Sequence, residues 1–168
     1  MNFSTHDRKM MARALVMAAK GRFTAAPNPA VGCVISIDEN IIGEGYTRPA
    51  GENHAEIEAL NMVQDPLGSC VYVTLEPCSH EGRTGPCAQA LIDAGVARVV
   101  IACEDPNPQV CGQGIQLLKD AGIEVDCGLL EDQARDLNQG FIKRHEQGLP
   151  WVLVKMAASM DGRTAMAS

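Results

Sequence analysis

The chain has 168 residues, and nowhere do they approach the ~18 consecutive apolar positions that a membrane-crossing helix needs. The opening MNFSTHDRKM lacks the apolar stretch of a secretory signal, so a cytoplasmic location is expected. Basic charge is also scarce, with 14 Lys and Arg against 21 Asp and Glu and a formal net charge of −7. A nucleic-acid partner is normally met by clustered Lys and Arg that neutralise phosphates, so a small-molecule substrate fits better. A single phosphate can still be held locally, because net charge does not describe one pocket. No internal repeat or low-complexity tract appears. The seven cysteines are odd in number, and the 46% apolar chain is long enough to bury its own core, which excludes a disulfide scaffold. Reduced thiols are expected instead. Cys33, Cys103 and Cys127 lie inside Val/Ile-rich runs and read as small core residues.

The pattern that is present alternates helix and strand. Residues 6–20 carry apolar positions at helical spacing, with Ser4 or Thr5 as cap and Gly21 placed to end the helix. FTAAPNPAVG, with two prolines around Asn28, must be loop. VGCVISI and IIGEGY, parted by Asp38, Glu39 and Asn40, read as a β-hairpin. Helices are then expected over 54–63, 87–94 and 114–121, each leading to a strand: CVYVTLE, RVVIAC and IEVDCG. A further helix over 130–145 precedes LPWVLVKMAAS, which reads as a new strand. Repeated helix–strand units with short glycine-containing links imply an α/β fold, a three-layer α/β/α domain with a mixed, mostly parallel sheet. Oligomeric state is not legible, although apolar helices and the C-terminal strand offer surfaces for a homo-oligomer.

Chemistry concentrates in NHAEIEALNMV (53–63) and TLEPCSHEGRTGPC (74–87). Zinc prefers imidazole nitrogen and thiolate sulfur; catalytic sites use three protein ligands, whereas structural sites close all four positions. His54, Cys78 and Cys87 make three, and the H-x-E…P-C arrangement is that of zinc deaminases acting on bases. His54 and Cys87 fall where helices begin, so the helix dipole favours thiolate. Pro77 and Pro86 stiffen the backbone before each cysteine. Thiolate-rich ligation favours zinc, with iron chemically possible. A structural zinc site would recruit a fourth ligand, for which His80 is the candidate. Hydrolytic removal of an amino group requires a proton carrier beside the activated water. Glu56, two positions from His54 on the first helical turn, is assigned that role. Glu76 precedes Pro77 and is placed to bind loop amides, while Glu52 and Glu58 read as solvated.

NPAVGCVI, GENHAEIEAL, YVTLEPCSHEGRTGPC, RVVIACEDPNPQVCGQG and LNQGFIKR together resemble the deaminase half of the bifunctional riboflavin-biosynthesis deaminase/reductase family. The terminal VKMAASMDGRTAMAS resembles the start of its reductase half. Cytidine and tRNA-adenosine deaminases tend to show P-C-x-x-C, whereas eight residues separate Cys78 from Cys87 here, as in the riboflavin branch. The resemblance implies a cytidine-deaminase-like fold. It further implies zinc-dependent deamination of diaminohydroxyphosphoribosylaminopyrimidine to the aminouracil ribosylamino phosphate and ammonia. Asn28 would contact the substrate and Arg83 its phosphate, whereas DPNP at 105–108 reads as a turn without a catalytic role. The chain departs from the family in TGPC, with Gly85 in place of proline, in Asn53 before His54, and in Thr47, where many members carry a histidine that contacts substrate.

Two domains are expected: a deaminase over 1–147, and a linker with the first strand of a reductase over 148–168. Lys155 and Ala157 match positions near the family's reductase cofactor site, yet the residues after 148 are too few to build a nicotinamide-binding domain. NADPH-dependent oxidoreductase activity is therefore expected of a full-length parent and not of this chain. Two other functions compete. One is a zinc deaminase of nucleosides, nucleotides or tRNA; the other is a non-catalytic zinc-stabilised binding module.

Overall fold

The computed structural model describes residues 3–79, 85–108 and 110–164. The first helix, α1 (Thr5–Gly21), starts from a capping box: the Ser4 hydroxyl accepts the Asp7 N–H at 3.0 Å, and the Asp7 carboxylate accepts the Ser4 N–H at 2.8 Å. The hairpin follows as β1 (Gly32–Ile37) and β2 (Asn40–Tyr46), with Asp38 in the left-handed region at φ 51°. Next come α2 (Ala55–Leu60), β3 (Cys70–Val73), α3 (Cys87–Asp93), β4 (Arg98–Ile101), α4 (Gln113–Asp120) and β5 (Glu124–Cys127). The chain then forms α5 (Glu131–Leu137) and α6 (Gln139–Gln147). The expected helix over 130–145 is thus two helices. Asn138, at φ −120° and ψ 26°, leaves helical geometry, ending one helix and starting the other.

The five strands form one sheet in the order β2-β1-β3-β4-β5. β1 is antiparallel to both neighbours, and β3, β4 and β5 are mutually parallel. Four strands therefore point one way, the mixed, mostly parallel sheet that the alternation implies. VYV and VVI, at the centre, are buried on both faces, which is why they read as continuous apolar runs. α1 packs on one face, with α5 against it; α2, α3 and α4 lie side by side over the other. Glycines permit the closest approaches. A Cβ at Gly32 would overlap the Ala14 carbonyl of α1, and one at Gly45 would overlap the Ala55 carbonyl of α2.

A buried charge cluster locks α1 to the sheet. Asp7 accepts hydrogen bonds from the Tyr72 hydroxyl and the Arg98 guanidinium, each at 2.8 Å. Arg98 also reaches Asp126 at 2.6 Å, so one side chain joins α1, β4 and β5. Burial alone would raise the Asp7 carboxyl, yet the bonds from Arg98, Ser4 and Tyr72 outweigh it and hold it at about 2.

All seven cysteines are unpaired, as expected, and Cys33 and Cys103 are buried in the core. Cys127 is half-buried against the core rather than within it. The strand expected after Pro150 does not form: residues 151–159 adopt no regular structure, and Trp151, Val152, Leu153 and Val154 are exposed. A strand exists through a hydrogen-bonded neighbour, and among the described residues none lies beside this run. Among the described residues, no helix is long and apolar enough to cross a membrane.

Candidate metal and catalytic centre

The site forms between the start of α2 and the loop that leads from the carboxyl end of β3 into α3, the edge at which open α/β sheets place their ligands. His54 is the N-cap residue of α2, in extended geometry at φ −76° and ψ 166°, and its side chain makes no capping bond. The imidazole turns instead to the two sulfurs. Its Nδ1 lies 3.3 Å from Cys87 Sγ and 3.6 Å from Cys78 Sγ, and the three donor atoms all fall within 4.8 Å of one another. Cys87 opens α3 behind Pro86, and its backbone N–H points at Cys78 Sγ at 3.3 Å.

These separations fit zinc. With Zn–S of about 2.3 Å and Zn–N of about 2.0 Å, tetrahedral angles place donor pairs roughly 3.6–3.8 Å apart. The donor set is soft and partly buried, and among the described residues the group contains no fourth protein donor. His80, the candidate fourth ligand, lies outside the described residues. Hydrogen bonds from the Cys87 thiol, the His54 ring and the Cys87 amide draw Cys78 down to about 4, despite opposing burial. Cys87 is pushed up by its bond to the Cys78 sulfur and by burial. His54 is raised, chiefly by its hydrogen bond to Cys78. Charge thus settles on sulfur beside an imidazole, a local field that suits a cation.

Glu56 sits in the first turn of α2, only 3% exposed. Burial, then the negative Cys78, pushes its carboxyl up to about 7. It shares a cavity of about 460 Å³ with His54, Cys78 and Asn28. Glu58, expected to be solvated, is instead half-buried and bonded to Arg48 at 2.7 Å and Asn53 at 3.0 Å. Asn53 therefore fastens the turn ahead of His54 onto α2. Glu52 is exposed at the rim.

Glu76 gathers loop amides, as its position before Pro77 suggested. One carboxylate oxygen accepts the N–H groups of Gly114 and Ile115, and the other those of Asp105 and Gly112, at 2.9–3.2 Å. This draws the β4–α4 connection and the start of α4 against the site. Glu76→Gln turns one oxygen into a donor that faces two N–H groups, at a cost of about 2–4 kcal/mol. The melting temperature is expected to fall by about 5–15 °C. An unchanged thermal transition would mean that the two bonds to the replaced oxygen contribute nothing.

The residues singled out from the sequence thus divide by place. His54, Glu56, Cys78 and Cys87 converge, and Asn28 lines the same cavity. Lys155 and Ala157 lie in the exposed segment after residue 150, away from that cavity. Arg83 lies outside the described residues. Thr47, marked from the sequence as standing where many members carry a substrate-contacting histidine, lines the cavity, whereas sequence reasoning passed over Asp105, Asn107 and Phe141 as its walls. Asp105 and Asn107 did leave a signal, because they follow the carboxyl end of a parallel strand.

The model of the cytidine and deoxycytidylate deaminase zinc-binding region matches residues 4–103. The chain is 58% identical over 163 residues to riboflavin biosynthesis protein RibD of Escherichia coli, covering 96% of this chain and 44% of that protein. It is 48% identical over 145 residues to the diaminohydroxyphosphoribosylamino-pyrimidine deaminase of Buchnera aphidicola from Schizaphis graminum, covering 86% of this chain and 99% of that protein. The crystal structure of Acinetobacter baumannii RibD superposes with a TM-score of 0.93 at 53% identity, over 97% of this chain and 46% of that one. The chain therefore spans a little under half of the RibD proteins it matches.

Proposed function

Because this chain belongs to the riboflavin-biosynthesis branch of the cytidine and deoxycytidylate deaminase zinc-binding family, we propose that it deaminates diaminohydroxyphosphoribosylaminopyrimidine hydrolytically, releasing ammonia and the aminouracil ribosylamino phosphate. One observation carries this: three soft donors lie within 4.8 Å of one another, and two of them, His54 and Cys78, line a single cavity together with the buried carboxylate of Glu56. His54, Cys78 and Cys87 would hold zinc, which when bound supplies Lewis-acid activation of water at neutral pH. Glu56 would carry the water's two protons in turn, the first to the ring nitrogen and the second to the amine, which leaves as ammonia while the oxygen becomes the ring carbonyl. Its carboxyl is buried and faces the same cavity as His54 and Cys78, which places it to move protons there. Asn28, which lines the same cavity, would hydrogen-bond the pyrimidine edge, and Arg83 would take the phosphate. The Thr47 hydroxyl is engaged with Val31, accepting its N–H at 3.1 Å, so Thr47 shapes the wall rather than reaching the ligand.

The deaminase unit is proposed to be residues 1–147, where α6 ends at Gln147 ahead of the left-handed Gly148. Residues 148–168 would then lead into a second domain, whose NADPH chemistry Lys155 and Ala157 would begin to serve. The test of the proposed reaction is zinc analysis of the purified chain together with ammonia release from the ribosylamino pyrimidine phosphate, cytidine and tRNA. One zinc per chain and ammonia from the pyrimidine phosphate alone are expected. Release only from cytidine or tRNA would assign another branch, and zinc without any release would make the site a structural module.

A further inference from the structure

Three consecutive residues behind Asn28 have their backbones held by side chains from distant parts of the chain. The Ala30 N–H donates to Asn138 Oδ1 at 2.8 Å, while Asn138 Nδ2 donates back to the Ala30 carbonyl at 3.0 Å. The Val31 N–H donates to the Thr47 hydroxyl, and the Thr47 N–H returns to the Val31 carbonyl at 2.9 Å. The Gly32 N–H donates to the Thr74 hydroxyl at 3.0 Å, and the Thr74 N–H returns to the Gly32 carbonyl at 3.0 Å. Asn138, Thr47 and Thr74 are all at least nine-tenths buried. Each therefore holds the backbone in place where the chain leaves the loop and enters β1 at Gly32.

Thr47 follows β2 and Thr74 follows β3, so those two clamps come from the sheet itself. Asn138 is different. It lies 108 residues from Ala30, at the break between α5 and α6, beyond the residues 4–103 shared with the wider family. Its amide is what the break exposes: a helical backbone through 138 would have left the side chain free to rotate over a helix surface. One turn further on, Phe141 of α6 lines the same cavity as Asn28.

We infer that Asn138 is a positioning residue for substrate binding: it fixes Ala30, and through Pro29 the side chain of Asn28, at the height above the zinc centre where the pyrimidine must lie. This rests on the proposed contact between Asn28 and the substrate. A primary amide suits this, because it presents its donor and its acceptor on separate atoms, one for the carbonyl and one for the N–H of the same residue. The effect falls on binding rather than on proton transfer, since neither the metal ligands nor Glu56 touches this pair.

The test is a kinetic cycle in the full 168-residue chain using N28A, N138A and the double variant, with zinc content measured for each. N138A is expected to raise KM about tenfold, with kcat within about threefold of wild type and one zinc per chain retained. Added to N28A, it should raise KM by less than about twofold, because a displaced wall matters little once its contact is gone. A lowered melting temperature with unchanged KM would overturn the inference and make Asn138 a purely structural residue. Full multiplication of the two effects in the double variant would overturn it as well. Should N28A alone leave KM unchanged, the substrate contact itself falls, and the inference with it. N28A impaired with N138A silent strikes only the inference. N138D keeps the acceptor but not the donor; if N138A does not fold, N138D is expected to show the same KM increase and the same non-additivity, and their absence counts against the inference equally.

Discussion

Glu56→Gln is expected to lower kcat by about 10²–10⁴-fold while leaving zinc content, melting temperature and KM near their original values. The amide matches the carboxylate in size and fills the same buried position, so α2 and the ligands it carries are not disturbed. What it loses is the capacity to take a proton and give it back. Neither Glu76 nor Glu52 is placed to take over. Glu76 has both oxygens occupied by four backbone N–H groups, and Glu52 is exposed at the rim. Ammonia release by stopped assay, alongside metal analysis, decides the matter. If the variant kept more than about a tenth of the wild-type rate, the proton would travel by another route and the role given to Glu56 would be lost.

Cys87→Ala should be more severe, because it removes the reagent and not only its proton carrier. With one of three donors gone, the pair left behind cannot compete with chelators, and zinc is expected to fall far below one per chain after dialysis. Deamination should drop by at least about 10³-fold. Stability should fall too, since binding free energy from a metal is folding free energy, and Cys78 and His54 would be left as a half-satisfied polar pair. Cys111→Ser, at an exposed position away from the cavity, supplies the control and should keep both zinc and activity. Full zinc occupancy in Cys87→Ala would show that the ligand set is different.

The parts of this site that were legible in the sequence are those whose chemistry is local. His54 and Glu56 share one helical turn, and each cysteine sits behind a proline, so residue type and spacing alone bring them to attention. Asn28 was marked by the resemblance of NPAVGCVI to the family motif, while its two prolines say only that it lies in a loop. The cavity walls could not be found in this way. Phe141 and Asn138 reach the site only after α5 and α6 fold back, and no spacing rule spans the 108 residues between Ala30 and Asn138. The break at Asn138 was hidden for a related reason: the apolar period runs through it, and the tertiary bond to Ala30 overrides local helix preference. The hairpin and the helix–strand alternation were legible because burial on one or both faces writes its period directly into residue type. The segment after Pro150 has strand composition without a strand, since composition specifies what suits a sheet and not whether a neighbour is there to complete it.

The hydrogen atom that serves Gly45 as a side chain governs more than packing. Its backbone lies directly beneath the first turn of α2, with the Ala59 nitrogen 2.6 Å from where a Cβ would stand. That turn carries both the imidazole and the acid. Adding even one methyl group on this outer strand would lift the helix like a shim under a lathe tool, and the coordination geometry would register a change made at a place no ligand touches. Loss of function in such a protein can therefore originate where a map of ligand contacts is blank.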